Sequence, residues 1–163
     1  MSPASEQQKN GEPMPDQSLL GGREYYAIDA KRRFAIPAGM RKIVGARGYV
    51  YVMPDLHEPC LCLFSPTDME GRVEKLRSKP LHDKKASRAL RALGENLEKV
   101  TIDVQGRIRI CDRLLKFATL EDKDKVAIVG KLHHVQLWSP VLLPEEEPVN
   151  QGELAEVFAD VDF

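Results

Sequence analysis

From Leu19 onward the chain is dominated by short apolar runs, each of strand length and each closed by turn residues. Glu24 to Ile28 predicts a strand and Arg33 to Ile36 its return, with a tight turn between them opened by Asp29. An aspartate there can cap backbone amides of the turn with its carboxylate. Pro37 suits the first position of a short helix running to about Val44, and Gly45 suits its C-terminal cap. Tyr49 to Met53 and Cys60 to Phe64 predict a second strand pair, joined by a loop holding Pro54, Asp55 and Pro59. Ser65-Pro66-Thr67-Asp68 is a capping pattern, after which Met69, Val73 and Leu76 share one helix face. Pro80 ends that helix. A second, from about Asp83 to Leu93, carries Ala86, Ala89, Leu90 and Leu93, with Gly94 near its end.

The programme then returns. Val100 to Asp103 and Arg107 to Ile110 predict a strand pair, and Asp112 can cap a short helix with Leu114, Leu115 and Phe117. Strands at Val126 to Val129 and Val135 to Trp138 follow, then a helix start at Ser139-Pro140 that Pro144 and Pro148 cut short. At an offset of 74 residues, Ile28, Asp29, Arg33 and Ile36 match Ile102, Asp103, Arg107 and Ile110. At the same offset Leu63-Phe64-Ser65-Pro66 matches Leu137-Trp138-Ser139-Pro140. Two separated segments in one register indicate a tandem duplication. Each half reads strand–turn–strand–short helix–strand–strand, too small to bury both faces alone, and two such halves can share a core by interleaving their hairpins.

The expected organisation is therefore a disordered extension at 1–18, a first unit at 19–80 and a connecting helix at 81–97. A second unit at 98–143 and an acidic tail at 144–163 complete it, the tail holding one weak amphipathic turn around Leu154 to Phe158.

Charge sharpens this picture. The 163 residues carry 24 Lys and Arg against 25 Asp and Glu, a net of −1. Residues 144–163 hold seven of the acids and no bases, and residues 1–18 hold three acids and Lys9. The stretch between them keeps 23 bases and 15 acids, a net of +8. A basic body with an acidic tail points to a polyanionic partner. No apolar run approaches the roughly 20 residues of a membrane span, the first 18 residues lack the apolar core of a secretory signal, and three unframed cysteines suit a reducing cytosol.

Lys31, Arg32 and Arg33 fall at the tip of the first hairpin and Arg107 in the second. A two-stranded ribbon fits the DNA major groove, where arginine can donate two hydrogen bonds to guanine O6 and N7. Asp29 and Asp103, each four residues before its arginine, would orient the turns. The alternative is that Arg33 and Arg107 serve only as structural partners of those aspartates. Arg23, Arg41, Lys42 and Arg47 are further candidates for phosphate contacts. Cys60 and Cys62 share a strand face with His57 nearby, but a zinc site needs a fourth ligand and none is evident, so buried cysteines are expected. His133 and His134 would point to opposite faces of a strand. No glycine-rich phosphate loop, nucleophile elbow or HExxH pattern occurs, so catalysis, a cofactor and a small-molecule substrate are not expected.

Gly22-x-x-Tyr25-x-x-x-Asp29-x-Lys31-x-Arg33-x-x-Ile36-Pro37, Asp103-x-x-Gly106-Arg107-Ile108-x-Ile110 and Val135-x-Leu137-Trp138-Ser139 together resemble the MraZ family of bacterial transcriptional regulators over roughly residues 19–142. The resemblance implies an α+β, mainly β fold of two tandem AbrB-like swapped-hairpin units. These would form a pseudo-twofold β-barrel core with short flanking helices. It also implies a ring-shaped homo-oligomer, nucleoid-associated in the cytoplasm. Such a ring would bind short direct repeats of double-stranded DNA upstream of the division and cell-wall gene cluster, including its own promoter, as a repressor. It raises Lys31, Arg32, Arg33 and then Arg107 to DNA-contacting residues. Two positions depart from the family: Arg32 stands where the first turn has glycine, and Cys111 where a proline follows the second return strand. The first implies backbone strain of about 1 kcal/mol or another turn type. The competing function is a non-catalytic interaction module of the same fold that binds a protein or an anionic surface.

Overall fold

In a computed structural model, which describes residues 19–146 and 150–163, the chain forms eight strands and five helices among those residues. The predicted extension at 1–18 lies outside the described residues. The first half runs β1 (Arg23–Ala27), β2 (Arg33–Ala35), α1 (Ala38–Val44), β3 (Tyr49–Pro54) and β4 (Leu61–Phe64). Helices α2 (Pro66–Arg77) and α3 (Lys84–Asn96) follow. The second half runs β5 (Glu98–Thr101), β6 (Arg107–Arg109), α4 (Asp112–Phe117), β7 (Lys125–Gly130) and β8 (Val135–Trp138), and α5 (Gln151–Phe158) comes last.

The halves interleave. Six strands form one sheet in the order β1-β7-β8-β4-β3-β5, and β2 pairs with β6 in a separate two-stranded ribbon. Exchanging each strand for its counterpart in the other half reverses this order and leaves it unchanged. The registers obey the same exchange: Ala27 pairs with Lys125, and its counterpart Thr101 pairs with Tyr49. Phe34 pairs with Ile108 and Cys62 with Gln136. Each of these pairs joins a residue to its own counterpart 74 positions away, so a pseudo-twofold axis passes through both. The third strands are offset by 76 rather than 74, and the loop before β8 is two residues shorter than the one before β4.

One face of the sheet holds the core. Val50, Val52, Leu61, Leu63, Val126, Ile128, Val135 and Leu137 pack there against Phe34 and Ile108 of the ribbon and Leu114 and Leu115 of α4. The opposite face carries Cys62 and Phe64, covered by Met69 and Val73 of α2 and Leu93 of α3, as the alternation of strand side chains requires. The expected closed barrel does not form. β2 and β6 are only three residues long and pair with nothing else, so the edges β1 and β5 of the large sheet are not bridged.

Local chemistry accounts for the element ends. Ser65 Oγ caps α2 by accepting from the Asp68 amide at 3.1 Å, with Pro66 in the first turn. Asp83 caps α3 by accepting from Ala86, and that helix runs through Gly94 to Asn96, past the expected end. Cys111, at the place of the family proline, has an amide that a proline would lack, and it donates to Glu98 Oε1 at 2.9 Å. The helix expected at Ser139-Pro140 is only a turn, because the Leu142 and Leu143 amides both close onto the Ser139 carbonyl. Residues around Leu154 to Phe158, expected as a weak turn, form the two-turn helix α5, capped by Asn150.

Candidate nucleic-acid interface

Each half contributes one turn, and the two are built alike. Asp29 Oδ1 accepts from the amides of Lys31 at 2.9 Å and Arg33 at 2.8 Å, while its Oδ2 accepts from Arg33 Nε at 2.8 Å. Asp103 Oδ1 accepts from Gln105 and Arg107, both at 2.9 Å, and its Oδ2 from Arg107 Nε at 3.0 Å. The chain closes each turn with an amide donating to the aspartate carbonyl, Arg32 in the first and Gly106 in the second. That closing residue sits in the left-handed region, with φ of 63° for Arg32 and 79° for Gly106. The turn type is thus the same in both halves, and the strain expected at Arg32 is present. Arg32 Nη2 also donates to the carbonyl of Leu120, which draws the guanidinium onto the protein.

The turns lie side by side. Arg107 Nη1 comes within 3.8 Å of Asp29 Oδ2, so the arginine of one turn reaches the carboxylate of the other. Both carboxyls are held below their ordinary value, chiefly by the amide of the arginine four residues on and then by its guanidinium. They are therefore ionised at neutral pH. Arg33 and Arg107 keep 32 % and 28 % of their side-chain surface exposed. Each spends Nε on its own aspartate, and the outer nitrogens of Arg33 have no hydrogen-bond partner among the described residues.

The other candidates divide. Lys31 is exposed at the tip, and Lys42 is exposed on α1. Arg41 donates to the Ile36 carbonyl at 3.0 Å and lies over Gly106, where an added Cβ would meet its Nη1 at 2.0 Å. Arg47 is paired with Glu70 at 2.8 Å, and Arg23 donates to the Pro144 carbonyl at 3.1 Å. The internal repeat also marks two residues that charge alone passes over. Gln105 occupies the tip position of Lys31, and Val104, fully exposed beside it, occupies that of Ala30. Glutamine can read adenine through N6 and N7, and a small apolar group can contact a thymine methyl.

On the far side of the sheet, Asp55, Cys62 and His134 are the one group of three His, Cys or acidic residues among the described residues whose ligating atoms converge, all within 4.8 Å. Cys60 and Cys62 are buried as expected. His133 and His134 precede β8 instead of lying in it, so they do not alternate across a strand. No helix among the described residues is long and apolar enough to cross a membrane.

No protein-family model matches the chain. Curated relatives do. The transcriptional regulator MraZ of Pseudomonas putida is 33 % identical over 122 residues, covering 74 % of this chain and 80 % of its own length. The proteins of the same name from Azotobacter vinelandii and Pseudomonas fluorescens are 35 % and 32 % identical, with the same coverage.

Proposed function

The chain belongs to the MraZ family, and from that premise we propose that it is a DNA-binding transcriptional regulator that reads duplex DNA with its paired turns. The observation that carries this reading is the adjacency of two Asp-bridged turns at one end of the pseudo-twofold, reached across by Arg107. Lys31 and Gln105 form the tips, and Arg33 and Arg107, both on the β2–β6 ribbon, supply the outer N–H groups. Asp29 and Asp103 fix those guanidinia through Nε and so lower the entropy lost when the remaining N–H groups meet a base or phosphate. Arg32, bonded to Leu120, supports the first turn, and its charge adds to the local field.

The finer proposal is a repressor, nucleoid-associated in the cytoplasm, that acts on its own promoter and the division and cell-wall gene cluster. A ring of identical subunits would repeat the turns at fixed intervals, matching short direct repeats and gaining affinity through effective concentration.

Two substitutions test it. Arg33→Ala should abolish a gel shift on the chain's own upstream region while leaving the oligomer size by light scattering unchanged. The Lys31 side chain has no hydrogen-bond or ion-pair partner among the described residues, so Lys31→Ala should weaken binding and reduce the salt slope by about 1. Undiminished binding by both variants would overturn the assignment. The competing reading, an interaction module, draws on the commitment of Arg33 and Arg107 Nε to carboxylates. It would show as equal affinity for promoter and scrambled duplex at moderate salt.

A further inference from the structure

We propose that Asp55, Cys62 and His134 form a zinc-binding site on the sheet face opposite the turns. Asp55 Oδ1 accepts from the amides of His57 at 2.8 Å and Glu58 at 2.9 Å, which fixes the loop after β3. Its Oδ2 is thereby aimed at Cys62, whose Sγ donates to it at 3.0 Å, and it also accepts from Gln136 Nε2 at 3.2 Å. Gln136 is itself held by Trp138 Nε1, which donates to its Oε1 at 3.0 Å. The carboxylate is thus oriented by an outer layer of hydrogen bonds of the kind that positions metal ligands. His134 stacks on Phe64 with ring centroids 5.1 Å apart, and its buried Nε2 has no partner among the described residues.

The donor set selects the ion. One carboxylate oxygen, one thiolate and one imidazole are the three ligand types zinc accepts, whereas calcium and magnesium take oxygen ligands. Thiolate and carboxylate together neutralise a divalent ion, so a partly buried site holds no net charge. The two cations nearby are already occupied, Arg72 with Asp68 at 3.3 Å and Lys131 with Glu58 at 3.4 Å. The Cys62 thiol donates to Asp55 Oδ2, so without metal it carries its proton. Binding is therefore an exchange. The proton that Cys62 shares with Asp55 leaves for solvent, and the ion takes its place between sulfur and oxygen. The remaining position opens into a cavity of about 370 Å³, lined also by His57, and takes water. Such a bridge would tie the β3–β4 and β7–β8 loops across the pseudo-twofold.

The test is a calorimetric Zn²⁺ titration of the EDTA-treated full chain in weak buffer, with a parallel Co²⁺ titration followed by absorbance. The expected result is one ion per chain, release of about one proton, a thiolate-to-cobalt charge-transfer band and a zinc-dependent rise in melting temperature. Cys62→Ser should remove the band, and His134→Gln, checked for a native fold by circular dichroism, should weaken Zn²⁺ binding more than 10-fold. Cys60→Ser, whose sulfur packs with Ala127 and Trp138, should leave both unchanged. No Zn²⁺ binding by the native chain, a band that survives Cys62→Ser, or equal loss in Cys60→Ser would overturn the site.

Discussion

Replacing Gly106 by alanine probes the turn architecture at its most constrained point. Gly106 adopts φ of 79°, a left-handed conformation that costs an L-residue about 1 kcal/mol. The added Cβ would also fall 2.0 Å from Arg41 Nη1 and 2.6 Å from its Cζ. That guanidinium must swing away and give up its hydrogen bond to the Ile36 carbonyl, a further loss of about 1 kcal/mol. The sum is roughly 2 kcal/mol, which lowers the melting temperature of a body this size by about 5–10 °C. Gly39→Ala is the matching control, because Gly39 lies within α1 with nothing inside 4 Å of its added Cβ. There the substitution should be neutral or stabilise by about 0.5–1 kcal/mol. Urea denaturation of both variants at one protomer concentration measures the difference. A Gly106→Ala cost below about 0.5 kcal/mol, or equal effects at the two positions, would refute both the left-handed strain and the Arg41 contact.

Three other outcomes are open to measurement. Asp29 and Asp103 have folded pKa values below the ordinary 3.8, so their contribution to stability is complete above that value. It is lost as pH falls through the folded pKa, and Asp29→Asn should flatten the acid limb of a stability–pH profile. At Asp55 burial pushes the carboxyl up, but hydrogen bonds from Cys62, the His57 and Glu58 amides and Gln136 bring it to about 2. The loss there falls between about pH 4 and pH 2, and Asp55→Asn should remove it from a denaturation series over that range. Glu98→Ala leaves the Cys111 amide unpartnered and should cost about 1 kcal/mol, yet cost nothing in a Cys111→Pro background, where that N–H is absent. Equal costs in both backgrounds would show that Glu98 does not act through the amide.

What the sequence made legible follows from how local each feature is. The two turns could be read because Asp29 and Asp103 organise neighbours within four residues, and the strands flanking them announce themselves by apolar runs. The barrel expectation failed at a non-local choice: nothing in Arg33–Ala35 or Arg107–Arg109 says that these strands will pair with each other and leave β1 and β5 as edges. A fixed 74-residue comparison also cannot see the slip to 76 at β7. His134 stands immediately before β8, as its counterpart Cys60 stands before β4, and there it meets Asp55 and Cys62. That cluster draws on three loops and strands separated by 7 and 72 residues, and no spacing rule reaches across them.

The departures at Arg32 and Cys111 differ in how they are accommodated. Cys111 adds an amide to its helix start, and Glu98, thirteen residues upstream in the same half, accepts from it. Arg32 adds left-handed strain to the first turn, and the compensating acceptor, the Leu120 carbonyl, belongs to the other half. Arg41 over Gly106 and Arg107 beside Asp29 also cross between halves. Each turn is therefore completed by side chains from the opposite repeat, which couples the conformation of one tip to that of its twin. In a pair of identical turns such coupling would be symmetric. Here a lysine–arginine–arginine tip stands against a glutamine–glycine–arginine tip on a shared support, so under the proposed reading the two turns would meet DNA as chemically different fingers.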